Sequence, residues 1–235
     1  MLPLAILAGG YATRLGSLTK DFPKSLIEIN GRPFVDWQLD LLVKKGYKKF
    51  VFCVSHKSDL IRNHLGDGSN RSIDIQYSFD GHTQLGTGGA IQKALPILGG
   101  EFGVIYGDSY LPIDYFKVEQ LFIESKSQSL MTIYKNENRF DTSNVEFCDG
   151  KIIDYEKGKK NFKMQYVDYG ISFFRAPAFY QWNDRSSFDL SNVLHKLAMD
   201  NQLDGYEVFE RFYEIGSLRG IEEFSHYLRK VQIEL

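Results

Sequence analysis

The sequence predicts an α/β fold built on a mostly parallel, doubly wound sheet with helices on both faces. Three observations predict it. Short apolar runs alternate with helical patterns through the first half of the chain, the order from which parallel sheets are wound. The first run, Leu4–Leu7, stops at the pair Gly9-Gly10, a turn at the end of a strand. No Pro-, Gly- or Ser-rich linker, internal repeat or low-complexity tract divides the 235 residues, so one domain over 1–235 is expected.

The elements follow in order. Leu4–Leu7 reads as a buried strand. Pro33 opens a helix in which Phe34, Trp37, Leu41 and Leu42 share a face, Pro being preorganised for a helix start. Phe50–Val54 is a second buried strand, and Leu60, Ile61 and Leu65 mark the next helix. Ile73, Ile75 and Tyr77 alternate with polar residues, as in a half-exposed strand. Ala90–Leu98 is helical up to Pro96, and Phe102–Tyr106 is again a strand. The second half changes character. Val145–Phe147 and Ile152–Tyr155 flank an Asp149-Gly150 hairpin turn. Tyr166–Phe174 is a strand, and Leu190–Met199 and Ile221–Leu228 are helical. These later strands should form a lobe on the same sheet.

Composition narrows the class. A hydrophobic content of 43% with 25% charged residues suits a globular protein. No apolar run approaches the roughly 20 residues of a membrane-spanning helix, and the apolar start lacks the basic segment of a signal peptide. A net charge of −2 offers no field for nucleic acid. Cys53 and Cys148 form no metal or redox spacing, and Cys53 reads as a buried thiol. The five histidines form no HExxH pattern and there is no GxSxG elbow; only His82 falls near a candidate binding loop. A cytoplasmic protein is expected.

The chemistry-bearing segment runs from Leu7-Ala8-Gly9-Gly10 through Thr13-Arg14 to Pro23-Lys24. Two glycines after a strand let backbone N–H groups approach an anion closely. Arg14 adds a planar cationic fork suited to phosphate oxygens. Lys24 adds a point charge on backbone stiffened by Pro23. The loop is neither GxGxxG nor Walker A, so it is a phosphate site of another kind.

Leu7-Ala8-Gly9-Gly10, Thr13-Arg14-Leu15, Leu18-Thr19, Pro23-Lys24, Leu26, Ile29, Gly31 and Pro33 together resemble the signature of the sugar-nucleotide pyrophosphorylases, a nucleotidyltransferase family. Ala12 stands where the family usually has glycine. The resemblance continues along nearly the whole chain. Gln84-Leu85-Gly86-Thr87-Gly88-Gly89 is similar to the base-recognition loop, and Tyr106-Gly107-Asp108 to the Gly-Asp whose carboxylate holds Mg²⁺. Glu156-Lys157 resembles the segment whose lysine meets the sugar phosphate, with Lys159 and Lys160 competing for that role. Tyr169-Gly170-Ile171 is similar to the strand under the sugar. Glu214 takes the place of the aspartate that is the second metal ligand, and Leu218-Arg219 replaces the family's Pro-Glu.

The resemblance implies a Rossmann-like nucleotidyltransferase fold with a small β-rich sugar-binding lobe. Residues 1–125 would mainly bind nucleotide and 126–235 mainly sugar phosphate. The implied reaction is Mg²⁺-dependent transfer of NMP from an NTP to a sugar 1-phosphate, releasing pyrophosphate, in sugar-nucleotide and polysaccharide synthesis. Its catalytic residues would be Arg14, Lys24 and Asp108. Leu7, Ala8, Gly9, Gly10, Thr13, Arg14, Gln84, Gly86 and Thr87 would bind nucleotide. Lys157, Tyr169 and Gly170 would bind sugar phosphate, and Asp108 and Glu214 metal. Among short members, Leu85–Ile91 resembles the heptose 1-phosphate guanylyltransferases, while His64–Ser69 resembles the N-acetylmuramate 1-phosphate uridylyltransferases. A cytidylyl- or uridylyltransferase acting on N-acetylmuramate 1-phosphate, phosphocholine or a non-sugar phosphate stays open. So do a non-catalytic sugar-nucleotide sensor and a homo-oligomer.

Overall fold

The structure, a computed structural model, describes residues 1–10, 22–55, 57–81, 83–136, 142–156 and 162–233. The first half runs β1 (Leu4–Leu7), the short ribbon β2 (Glu28–Ile29) and β3 (Arg32–Pro33), α1 (Phe34–Lys44), β4 (Lys49–Val54), α2 (Ser58–Leu65), β5 (Asp74–Phe79), α3 (Gly86–Leu98) and β6 (Glu101–Tyr106). The second half runs β7 (Ser109–Tyr110), α4 (Tyr115–Glu124), β8 (Ser129–Lys135), β9 (Val145–Cys148), β10 (Lys151–Tyr155), β11 (Tyr166–Arg175), α5 (Leu190–Met199), β12 (Leu203–Val208), β13 (Tyr213–Glu214) and α6 (Leu218–Ile233).

A nine-stranded sheet in the order β5-β4-β1-β6-β11-β8-β12-β10-β9 carries the fold. The four strands of the first half are parallel, as the alternation of strands and helices predicts. Beyond β6 the sheet is mixed: β11 runs antiparallel to β6 and β8, and β12 parallel to β8. The β9–β10 hairpin extends the same sheet. It turns on Asp149 (φ 48°) and Gly150 (φ 79°), both in the left-handed region that a two-residue hairpin requires.

Successive strand residues point to opposite faces, and both faces are covered. Ala5, Val51, Cys53, Phe102 and Val104 pack with α3 and α5, whereas Leu4, Ile6, Phe50, Phe52 and Ile105 pack with α1, α2 and α4. A third, smaller core of Phe34, Ile29, Ile215, Phe224 and Leu228 holds α6 against α1. Two histidines are satisfied structural groups: His64 Nε2 bonds Asp36 (3.0 Å) and His195 Nδ1 donates to the Tyr155 carbonyl (2.9 Å). No described helix is long and apolar enough to cross a membrane.

Several boundaries differ from expectation, and at α3 the reason is tertiary. The helix read as starting at Ala90 and stopping at Pro96 begins at Gly86 and runs through Pro96 to Leu98. Pro96 lies in the last turn, where its missing N–H removes a single ladder bond. The early start depends on a partner distant in sequence: the Phe188 carbonyl accepts the Gly88 (2.9 Å) and Gly89 (3.2 Å) N–H groups.

Candidate active site

In open α/β sheets, ligands gather at the strands' carboxyl ends where the strand order reverses. Here that point is β1, between β4 and β6. The chain leaves β1 at Ala8, whose N–H is held by the Cys53 carbonyl (2.9 Å), and continues into Gly9, whose carbonyl accepts the Ser55 hydroxyl (2.6 Å). Beside it β6 ends at Gly107, whose N–H donates to the Leu7 carbonyl (3.0 Å) and so delivers Asp108 next to the glycine turn.

A cavity of about 290 Å³ opens at this junction. Of the expected residues, Leu7, Ala8, Gly9 and Gly10, Lys24 and Asp108, and Gln84, Gly86 and Thr87 all line it. Four segments far apart in sequence therefore meet in one place. Thr13, Arg14, Lys157 and His82, together with Lys159 and Lys160, lie outside the described residues.

Lys24 stands in a short helical turn after the extended Pro23, and its Nζ pairs with Asp108 Oδ2 at 2.8 Å. The two side chains are 21% and 31% exposed, so the pair faces the cavity and is open to ligand. Glu214 comes close because β13 pairs with β7, setting Glu214 opposite Ser109, and the Ile215 N–H donates to the Asp108 carbonyl (3.0 Å). Its carboxylate accepts the Gly216 N–H and the Ser217 hydroxyl. A Cβ placed on Gly216 would meet both Glu214 Oε2 and, at 3.3 Å, Lys24 Nζ, so lysine and glutamate are neighbours. The donor chemistry fits Mg²⁺, which takes one or two carboxylates and completes its shell with water and substrate phosphate. Asp108 faces the cavity. Glu214 would share its carboxylate with the Gly216 and Ser217 donors.

Tyr169, expected to bind sugar phosphate, is not among the residues that line the cavity. It is 1% exposed, its ring packed edge-on against Phe212 in the core. The strand's alternation decides this, because the neighbouring Asp168 takes the opposite direction. Asp168 accepts the Gly170 N–H (3.0 Å) and lies 3.5 and 3.4 Å from the hydroxyls of Tyr106 and Tyr155, Tyr106 being a cavity residue. Gly170, at φ 116°, falls where the β11–β8 register shifts.

The cavity also holds residues that sequence reasoning missed, among them Asp80 and Asp189. Asp80 follows the end of β5, and that strand-end position is the signal that could have found it. Burial raises its carboxyl above the usual value, partly offset by the Leu85 N–H and by Lys93. Asp189, the N-cap of α5, has no local signal and reaches the cavity only through the tertiary fold. Cys53 also borders the cavity, its thiol pushed up to about 12 by burial and so unreactive.

A family model described as nucleotidyl transferase matches residues 4–230. The chain belongs to the nucleotidyl transferase family. Among characterised relatives it is similar to the D-glycero-alpha-D-manno-heptose 1-phosphate guanylyltransferase of Campylobacter jejuni, at 36% identity over 68% of this chain and 69% of that protein. It is also similar to the N-acetylmuramate alpha-1-phosphate uridylyltransferase of Neisseria meningitidis, at 38% identity over 47% of this chain and 48% of that one. In fold it resembles HddC from Yersinia pseudotuberculosis (TM-score 0.81, 22% identity, 97% of this chain and 100% of that chain). The inositol-1-phosphate CTP transferase of T. maritima is comparable (TM-score 0.81, 20% identity, 99% and 96%). The nucleotidyltransferase is thus an enzyme of α/β fold.

Proposed function

We propose that this nucleotidyltransferase transfers GMP from GTP to a sugar 1-phosphate of the heptose class, forming a GDP-sugar and pyrophosphate, in the cytoplasm. The observation that carries the reading is the convergence of the glycine turn, Lys24, Asp108 and the Gln84–Thr87 loop on one cavity. A phosphate monoester is largely dianionic at neutral pH, so the acceptor oxygen can attack the α-phosphorus without a general base. The residues' task is then to position the substrates and neutralise charge. Lys24, released from Asp108, would neutralise the approaching phosphates, and Arg14 the α-phosphoryl group and the departing pyrophosphate. Asp108, with Glu214 beside it, would hold Mg²⁺, which supplies charge stabilisation for the in-line displacement. On the acceptor side, Lys157 would meet the sugar phosphate, with Gly170 at the bend of the strand beneath.

The guanine assignment rests on Asp80. A carboxylate accepts only, and guanine presents two adjacent donors, N1–H and the N2 amino group. Uracil's single N–H is flanked by carbonyl oxygens, and cytosine's amino group adjoins a ring acceptor; each would set a lone pair against the carboxylate. The likeness to the Campylobacter guanylyltransferase supports the same base and a heptose acceptor, and the shorter match to the Neisseria enzyme favours UTP as the competing outcome. The test is pyrophosphate release in a panel of four NTPs against sugar 1-phosphates, with product analysis. Turnover with GTP and a heptose 1-phosphate is expected, reversible on adding pyrophosphate. Preference for UTP or CTP would overturn the base assignment, and free nucleoside monophosphate as product would overturn the transferase reading.

A further inference from the structure

The base loop is held by an element about a hundred residues further along the chain. Phe188 and Asp189, at the start of α5, grip it through both backbone and side chains. The Phe188 N–H donates to the Leu85 carbonyl (3.0 Å), and the Phe188 carbonyl accepts the Gly88 and Gly89 N–H groups. The Thr87 hydroxyl donates to Asp189 Oδ1 (3.1 Å) and accepts the Leu190 N–H (2.8 Å). Two helix starts, those of α3 and α5, thereby satisfy each other's otherwise unpaired donors. The fit is close: a Cβ on Gly88 would fall 2.4 Å from the Phe188 ring, which is itself stacked on Trp182 (centroids 5.0 Å apart, planes at 16°).

Leu85 carries this grip onward. Its carbonyl is held by Phe188, and its N–H donates to Asp80 Oδ2 (3.3 Å). The start of α5 is therefore linked through one residue to the carboxylate that reads the base in the proposed function. We infer that Thr87 is a positioning residue for base selection: its hydroxyl locks the base loop to Asp189 and Leu190, and so sets where Asp80 and Gln84 meet the nucleobase. Thr87 lines the cavity, but its hydroxyl is directed at α5 as both donor and acceptor, so its role is to hold the loop. The inference rests on the base-recognition reading above and adds to it that selectivity depends on the junction of α3 and α5.

The experiment compares kcat/KM for GTP with that for CTP and UTP in wild type, Thr87→Val, Thr87→Ser and Asp80→Asn, using the sugar 1-phosphate that turns over in the panel. Valine keeps the shape and removes the hydroxyl. Its loss should reduce the preference for GTP about tenfold, as expected for one or two hydrogen bonds of ordinary strength. The change should appear in KM for GTP, with KM for the sugar 1-phosphate unchanged, and serine should restore wild-type selectivity. Thermal unfolding of each variant is measured alongside, and Thr87→Ala replaces valine if the latter fails to fold. A purely structural role would lower the unfolding temperature and leave the selectivity ratio as it was. Loss of preference in Asp80→Asn with an unchanged ratio in Thr87→Val would overturn the positioning role alone. An unchanged ratio in Asp80→Asn with a reduced one in Thr87→Val would overturn Asp80 as the reader and uphold the positioning role. A wild type indifferent to the base would overturn both.

Discussion

Replacing Gly86 with alanine tests whether the base loop has the geometry described. Gly86 has φ +72°, and a Cβ there would stand 2.5 Å from the Phe188 carbonyl oxygen and 2.9 Å from its carbon. That carbonyl is backbone, fixed by the Gly88 and Gly89 N–H groups, so it cannot retreat as a flexible side chain would. Two costs follow. Holding an L-residue in the left-handed region costs about 1–2 kcal/mol, and forcing a methyl group into packed structure costs about 1–3 kcal/mol. Gly150 separates them, since it sits in the left-handed hairpin turn with φ +79° and nothing within 4 Å of its Cβ position. Gly150→Ala should lose only the conformational share. For a chain of this size, 1 kcal/mol shifts the unfolding temperature by roughly 2–4 °C. Gly86→Ala, at about 3 kcal/mol, should therefore melt roughly 6–12 °C below wild type, and Gly150→Ala, at about 1–2 kcal/mol, roughly 2–8 °C below. Circular dichroism melts and urea titrations of both variants measure the difference. If the two variants unfold together, the Phe188 carbonyl does not press on Gly86 and the reasoning is refuted.

Arg14→Ala should lower kcat by about 10²-fold or more with the fold intact, the usual cost of losing a preorganised charge at a transferring group; near-normal turnover in a well-folded variant would remove Arg14 from catalysis. Asp108→Asn should abolish activity at every Mg²⁺ concentration, whereas Glu214→Gln should raise the Mg²⁺ requirement and Glu214→Asp keep substantial activity. Initial rates against Mg²⁺ decide this, and a wild-type titration for Glu214→Gln would show that Glu214 is no ligand. Asp80 gives a pH dependence. Burial raises its folded-state pKa above the unfolded value, so the stability linked to it is present below the unfolded pKa and lost as pH rises through the folded one. Asp80→Asn should therefore melt above wild type at neutral pH, and that advantage should vanish at about pH 3, where both forms are neutral. An advantage independent of pH would show that the carboxylate's charge is not its source.

How much of this was legible beforehand follows from the range of the forces involved. The chain's own order determined the parallel half of the sheet, because strand and helix periodicities and the glycine turn after Leu7 are local properties. It also pointed to Gly9, Gly10, Lys24, Gln84 and Asp108 as candidates for ligand chemistry, since each falls in a motif of fixed spacing, and all five line one cavity. Even the hairpin at Asp149-Gly150 was readable from its turn chemistry. The interior strand β8 and the insertion of β12 between β8, to which it is parallel, and β10, to which it is antiparallel, were not, since strand pairing joins residues whose separation leaves no pattern in either segment. Only the tertiary structure decided that Tyr169 turns into the core while Asp168 takes the other face. A bulge and a pleat, set by the packing of β11 on β8, fix that choice. The same holds for the 2.8 Å approach of Lys24 to Asp108, for the arrival of Asp189 at the cavity, and for the Thr87 hydroxyl turning to α5. Each joins segments tens of residues apart, and the hydrogen bonds and side-chain packing that join them act only once the sheet has brought those segments together.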